Sequence, residues 1–229
     1  MAVASGAGAV ATCLLALLRS GDHLLCFVET YGPSLHFIQG LLGRFGVTHT
    51  MLSIEDDAGI ERELAGRPTK LVYFESPTNP ITRIADLARL TKAAHAHDAL
   101  TVMDNTFAGF HNHGQYGVDV FVHSLTKYAS GHGDVMGGAI ITRTELARKI
   151  RREAVGLGGV LDPHAAFLVM RGMKTYYLRY EAQAASALRI AAFLDGHPAV
   201  ERVHYPGLPG HARHARARPS SAARGRRCA

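Results

Sequence analysis

Only three cysteines occur in the 229 residues, Cys13, Cys26 and Cys228, and neither their odd number nor their spacing fits a disulfide framework or a zinc site. They read as ordinary thiols of a reducing compartment. No apolar run approaches the ~20 residues that a membrane-spanning helix needs. The apolar stretch Ala9–Leu18 is too short to span and has no basic region before it, so it is not expected to be a signal peptide. No internal repeat is visible. Acidic residues are missing from one segment, His211–Ala229, which carries six of the 25 basic residues and leaves Met1–Gly210 with 19 bases against 19 acids. The net charge of +6 therefore belongs to the tail, which argues against a chain-wide nucleic-acid surface. That tail alternates Ala, His and Arg without apolar periodicity and is expected to be disordered, with an RNA- or membrane-contacting arm as the minority reading. A cytoplasmic location is the expectation.

A hydrophobic content of 47% supplies a sizeable core for one large domain, or for a domain and part of another. Apolar periodicity predicts helices at Ala9–Arg19, Ser34–Phe45, Ala58–Ala65 and Ile84–His97. It predicts strands at His23–Val28, Val47–Leu52, Lys70–Phe74, Leu100–Met103, Val118–Val122 and Ala139–Ile141. This alternation implies an α/β fold with a mostly parallel sheet covered on both faces, and a functional site beyond the carboxyl ends of the strands. After Arg143 the pattern is helical, through Glu145–Ala154, Pro163–Met170 and a long Thr175–Leu194 helix able to connect two domains. The short apolar segment Val200–Tyr205 follows. The expected organisation is a large domain over 1–190, the start of a C-terminal domain over 191–210, and the tail over 211–229.

Chemistry is sought where strands end. Lys127 follows the strand Val118–Val122 in His123-Ser124-Leu125-Thr126-Lys127-Tyr128, with Gly131-His132-Gly133-Asp134 downstream. A lysine desolvated at a buried strand end is suited to Schiff-base chemistry, and Ser124 and Thr126 can hold a phosphate beside it. The aldehyde this implies is pyridoxal 5′-phosphate; the plain alternative is a lysine snorkelling to water. Asp104 ends the strand Leu100–Met103 and suits either pairing with a pyridinium nitrogen or a turn cap. Asn79, in Glu75-Ser76-Pro77-Thr78-Asn79-Pro80, suits either donation to a cofactor phenolate or a structural turn. The Gly6 and Ala7 amides, at a glycine-rich helix start, suit phosphate. Tyr31, just past a strand, can stack on a planar cofactor or exchange a proton.

Taken in order, these segments resemble the Cys/Met-metabolism (transsulfuration) family of fold-type-I pyridoxal-phosphate (PLP) enzymes, which includes cystathionine gamma-synthase, cystathionine beta- and gamma-lyases and methionine gamma-lyase. The resemblance runs from Ser5 to about Leu208. Besides the segments around Asn79 and Lys127, it rests on Asp104-Asn105-Thr106-Phe107-Ala108, Arg171-Gly172-Met173-Lys174-Thr175 and His204-Tyr205-Pro206-Gly207-Leu208. It implies a fold-type-I large domain and an internal aldimine on Lys127, which also shuttles protons. It further implies Asp104 on the pyridinium, Asn79 on the phenolic oxygen and Tyr31 over the ring. Gly6, Ala7, Ser124 and Thr126 would hold the phosphate. The implied activity is beta- or gamma-elimination or gamma-replacement on a small sulfur-bearing amino acid, in a homo-oligomer, with no metal and no membrane partner.

Departures from the family pattern add further expectations. Family members have an upstream segment whose Tyr and Arg reach a neighbouring subunit's cofactor, and a C-terminal domain whose arginine grips the substrate carboxylate. The resemblance begins after the first and stops near His211, before the second, which reads as a truncated or frameshifted chain. The alternative is therefore a catalytically incompetent fragment that keeps cofactor or oligomer contacts, and nucleic-acid contact through the tail comes third. Pro33, two residues after Tyr31, argues mildly against methionine gamma-lyase, which usually has cysteine there. His111 and His113 are expected in a solvated loop. His95 and His97 are wrongly spaced to share a metal.

Overall fold

Alternating apolar strands and amphipathic helices assemble one mixed sheet in the computed structural model, which describes residues 1–217. The strands are β1 (Ala2–Val3), β2 (His23–Phe27), β3 (Thr48–Leu52), β4 (Leu71–Glu75), β5 (Leu100–Asp104), β6 (Val120–Ser124) and β7 (Gly138–Thr142). The helices are α1 (Gly6–Leu17), α2 (Gly32–His36), α3 (Asp57–Gly66), α4 (Leu87–Ala96), α5 (Thr144–Leu157), α6 (Pro163–Met173), α7 (Tyr176–Asp195) and the short α8 (His214–Ala217). The seven strands lie in the order β1-β7-β6-β5-β4-β2-β3. From β3 to β6 all neighbours are parallel, whereas β7 and β1 close the other edge antiparallel.

Period-two alternation sends adjacent residues to opposite faces, and every residue of β2 and β4 is buried, as in a sheet covered on both sides. Leu24, Leu71, Tyr73, Val102 and Val120 pack with Leu14 and Leu17 of α1 and with Leu146 and Ile150 of α5. Their neighbours Leu25, Val72, Phe74 and Met103 pack on the opposite face with Ile60 and Leu64 of α3 and Leu87 and Leu90 of α4. Full burial of each such side chain contributes roughly 1.5–3 kcal/mol before conformational entropy is subtracted. The expected α/β architecture is thus present.

Several boundaries differ from those read from periodicity. The helix expected over Ser34–Phe45 starts at Gly32, with Pro33 in its first turn, and continues as a π-helical stretch over Phe37–Leu42. The helix expected from Ile84 begins at Leu87, because the Asp86 carboxylate accepts the Arg89 amide at 3.2 Å and caps it there. Asp119 delays β6: its carboxylate accepts the Thr101 amide and hydroxyl, both at 2.9 Å, and pairs with Arg143 and His95. The apolar segment Val200–Tyr205 forms no strand. Disorder was expected from His211, but His211–Ala217 form turns and α8, with Arg213 near Glu55 at 3.5 Å and Arg216 paired with Asp86 at 3.0 Å. The rest of that tail, with Cys228, lies outside the described residues.

Candidate active site

Because β2, β4, β5 and β6 run parallel, their last residues share one edge of the sheet. Register places Glu75 opposite Asp104, and Asp104 opposite Val122, two residues before Ser124. The first turn of α1 reaches the same edge. Ser5 is extended and caps α1 by accepting the Gly8 amide on Oγ at 2.9 Å. The Gly6 and Ala7 amides meet no acceptor among the described residues. A Cβ on Gly6 would lie 2.7 Å from Ser124 Cβ, so only glycine lets the helix start approach the end of β6 this closely. Gly6→Ala is expected to destabilise the fold by about 1–3 kcal/mol through this overpacking, seen as a lower urea midpoint at unchanged slope.

A hydrogen-bonded thread joins β5 to β6. The Thr106 amide donates to Asp104 Oδ1 at 2.9 Å, and the Ser124 amide donates to Thr106 Oγ1 at 2.8 Å. Burial pushes the Asp104 carboxyl up from the usual range, opposed by hydrogen bonds from Thr106. No neighbouring cation offsets that burial among the described residues, yet Asp104 keeps some solvent-accessible surface. It is a buried acid suited to a cationic partner arriving from the open edge.

Lys127 departs from the desolvated position expected of it. Strand β6 ends at Ser124, and residues 125–130 form turns that carry the Lys127 side chain into solvent. The backbone beneath it is tightly held. The Lys127 amide donates to the Ser124 carbonyl at 3.2 Å, and its carbonyl accepts the Gly131 amide at 2.9 Å. The Arg179 guanidinium donates to the carbonyls of Tyr128 at 2.9 Å, Ala129 at 3.2 Å and Gly172 at 2.8 Å. A Cβ on Gly172 would lie 2.2 Å from the Ser130 carbonyl oxygen, so α6 and the lysine turn touch backbone to backbone. Arg171 pairs with Asp134 at 2.7 Å. These contacts give physical content to Arg171-Gly172-Met173-Lys174-Thr175, a segment that carried no stated role in the sequence. Thr126 Oγ1 accepts the Gly137 amide at 3.1 Å, which anchors the turn to the start of β7.

Tyr31 and Asn79 lie on loops at the same edge, both exposed. Glu75 lies between them: its Oε1 accepts the Tyr31 amide at 2.8 Å, and the loop of Asn79 follows it directly in the chain. Sequence reading missed Glu75, Thr106 and Arg179. The edge therefore brings Gly6 against Ser124, links Ser124 to Asp104 through Thr106, ties Tyr31 to Glu75 at the head of the Asn79 loop, and places Thr126 and Lys127 on the adjoining turn.

Neighbouring histidines are structural. His123 stacks on Phe110 with ring centroids 4.2 Å apart, and burial pushes its pKa down to about 4, so it is neutral near pH 7. The solvated loop expected around His111 and His113 holds only at His111, which is exposed while packing edge-on against Tyr180 at 4.9 Å. His113 is partly buried, 2.8 Å from Asn105 Oδ1, and burial pushes its pKa down to about 4. Cys13 and Cys26 are buried and their thiols are pushed up to about 12, which leaves them unreactive.

Comparison with known proteins decides the family. Residues 1–225 match the family described as Cys/Met metabolism PLP-dependent enzyme. The chain belongs to that family. Among members of the Cys/Met metabolism PLP-dependent family, cystathionine gamma-synthase 1, chloroplastic, of Arabidopsis thaliana is 39% identical over 216 residues, covering 93% of this chain and 38% of the relative. An L-methionine gamma-lyase of Fusobacterium nucleatum subsp. nucleatum is 40% identical over 218 residues, covering 92% of this chain and 54% of the relative. The crystal structure of cystathionine gamma-lyase from Lactobacillus plantarum complexed with L-serine superposes with a TM-score of 0.89 at 39% identity, over 94% of this chain and 57% of that one. The chain thus spans about half the length of the relatives it matches. Among the described residues no helix is long and apolar enough to cross a membrane.

Proposed function

We propose that this chain binds pyridoxal phosphate at the carboxyl edge of its sheet and acts in beta- or gamma-elimination or gamma-replacement on sulfur amino acids. The observation that carries this reading is the meeting, at one strand edge, of helix-start amides at Gly6 and Ala7, the Ser124 hydroxyl and the partly buried acid Asp104, which has no cation beside it among the described residues. An anionic phosphate suits the first two and a pyridinium suits the third, so the residues present fit the cofactor. When bound, the cofactor supplies an aldehyde for amine attachment and an electron sink for the substrate alpha-carbon.

Each residue then has a role in the proposal. Lys127 would supply the attachment amine and would move protons between substrate carbons. Asp104 holds the pyridine nitrogen protonated, Asn79 donates to the phenolic oxygen, and Tyr31 covers the ring and assists proton removal or leaving-group chemistry. Gly6, Ala7, Ser124 and Thr126 hold the phosphate. A homo-oligomer and a small amino-acid substrate belong to the same reading.

The alternative to the enzyme is a chain that keeps cofactor or oligomer contacts without turnover. Absorbance after addition of pyridoxal phosphate, followed by assays with cystathionine, with methionine, and with O-acyl-homoserine plus cysteine, separates the two. Cofactor binding with turnover of any of these supports the enzyme, and binding without turnover supports the fragment. If the chain does not bind the cofactor, the enzyme reading fails and the alternative is left with its oligomer contacts alone.

A further inference from the structure

The proposed site leaves one buried acid without a role. Glu75 ends β4 at 5% exposure, in the same run of sequence that carries Asn79. Its Oε1 accepts the Tyr31 amide at 2.8 Å, the chain runs on from it into the loop of Asn79, and Asp104 is its register partner on β5. We propose that Glu75 is a positioning residue of the cofactor site, tying the Tyr31 segment to the end of β4, where the Asn79 loop begins, beside Asp104. The inference rests on the reading of this edge as a pyridoxal-phosphate site and adds to it a residue that reading did not use.

The chemistry of the pair explains why a second acid is tolerated there. Burial first, and then the Asp104 charge, push the Glu75 carboxyl up to about 8, and the hydrogen bond from the Tyr31 amide only partly opposes them. The titratable groups facing Glu75 are Asp104 from β5 and Tyr73 from its own strand, whose buried phenol stays protonated. No cation offsets them among the described residues. Two adjacent buried carboxylates do not both ionise near neutral pH, so the pair retains a proton. A protonated Glu75 would still accept the Tyr31 amide on its carbonyl oxygen, and the pair would present a single negative charge to a pyridinium. The native state therefore holds a proton that the unfolded chain releases near 4.5. The associated stability is complete below about 4.5 and is lost as pH rises through about 8.

Glutamine at position 75 keeps the accepting oxygen and cannot ionise, whereas alanine removes the acceptor. Amide hydrogen exchange on the cofactor-free chain tests the clamp without relying on cofactor binding, with far-UV circular dichroism confirming that each variant is folded. For Glu75→Ala, exchange at the Tyr31 amide and across residues 76–82 is expected to rise about 10-fold, the signature of a lost, partly buried hydrogen bond worth about 1.4 kcal/mol. For Glu75→Gln it is expected to stay at the parent level, and the decline in stability between about pH 4.5 and 8 is expected to become shallower by the share that Glu75 contributes. Pyridoxal-phosphate affinity is expected to fall about tenfold in the alanine variant and to persist in the glutamine variant. Parent-like exchange or parent-like affinity in the alanine variant overturns the proposal. Exchange as fast in glutamine as in alanine overturns the neutral clamp in favour of a charged one. If the parent itself binds no cofactor, the site reading fails, while the exchange data still decide whether Glu75 holds the Tyr31 segment.

Discussion

Asp104→Asn is expected to weaken pyridoxal-phosphate binding about 100-fold while leaving the fold intact. Asp104 sits at the end of β5, pushed up by burial and accepting the Thr106 amide at 2.9 Å. Asparagine keeps the shape and the accepting oxygen for Thr106, so the thread to Ser124 survives. What disappears is the charge proposed to face the pyridinium, and breaking a buried pair on one side costs about 3 kcal/mol, or two decades in affinity. Titration of absorbance with cofactor gives the affinity, and urea unfolding shows whether the fold has changed. Undiminished affinity would remove Asp104 from the site.

The second large effect is mechanical. Gly172→Ala is expected to destabilise the protein by about 1–3 kcal/mol and to loosen the turn that carries Lys127. Its new Cβ would sit 2.2 Å from the Ser130 carbonyl oxygen, with Ser130 Cα at 2.7 Å, and neither backbone atom can rotate away. Gly156→Ala, in α5, is the matched control because nothing lies within 4 Å of its added Cβ. There the substitution is expected to stabilise by about 0.5–1 kcal/mol, since alanine loses less entropy than glycine in a helix. Urea unfolding of both variants gives opposite shifts of the midpoint if the close approach of α6 matters, and equal shifts if it does not.

Much of this fold was legible because parallel strands buried on both faces leave continuous apolar runs, as in β2 and β4, and because amphipathic helices such as α5 keep a narrow buried stripe at Leu146 and Ile150. Helix starts were less legible. At α4 the apolar pattern begins at Ile84, but the first turn waits for the Asp86 cap. Of the site, the residues at strand ends were visible from their position alone, since strand direction carries them to one edge. Glu75, Thr106 and Arg179 were not, because their contacts join segments far apart in the chain, over separations of 44, 18 and 51 residues. The exposure of Lys127 was hidden for a related reason: the turn after β6, not the strand, sets its surroundings.

The central claim is that Lys127 is the amine to which pyridoxal phosphate attaches at this edge. Borohydride treatment of the cofactor-loaded protein, followed by proteolysis and mass spectrometry, tests it directly. The account predicts a single phosphopyridoxyl label on the peptide containing Lys127, with none recovered from Lys127→Ala at the same cofactor concentration. Label on another lysine, or equal labelling of the Lys127→Ala variant, would contradict it.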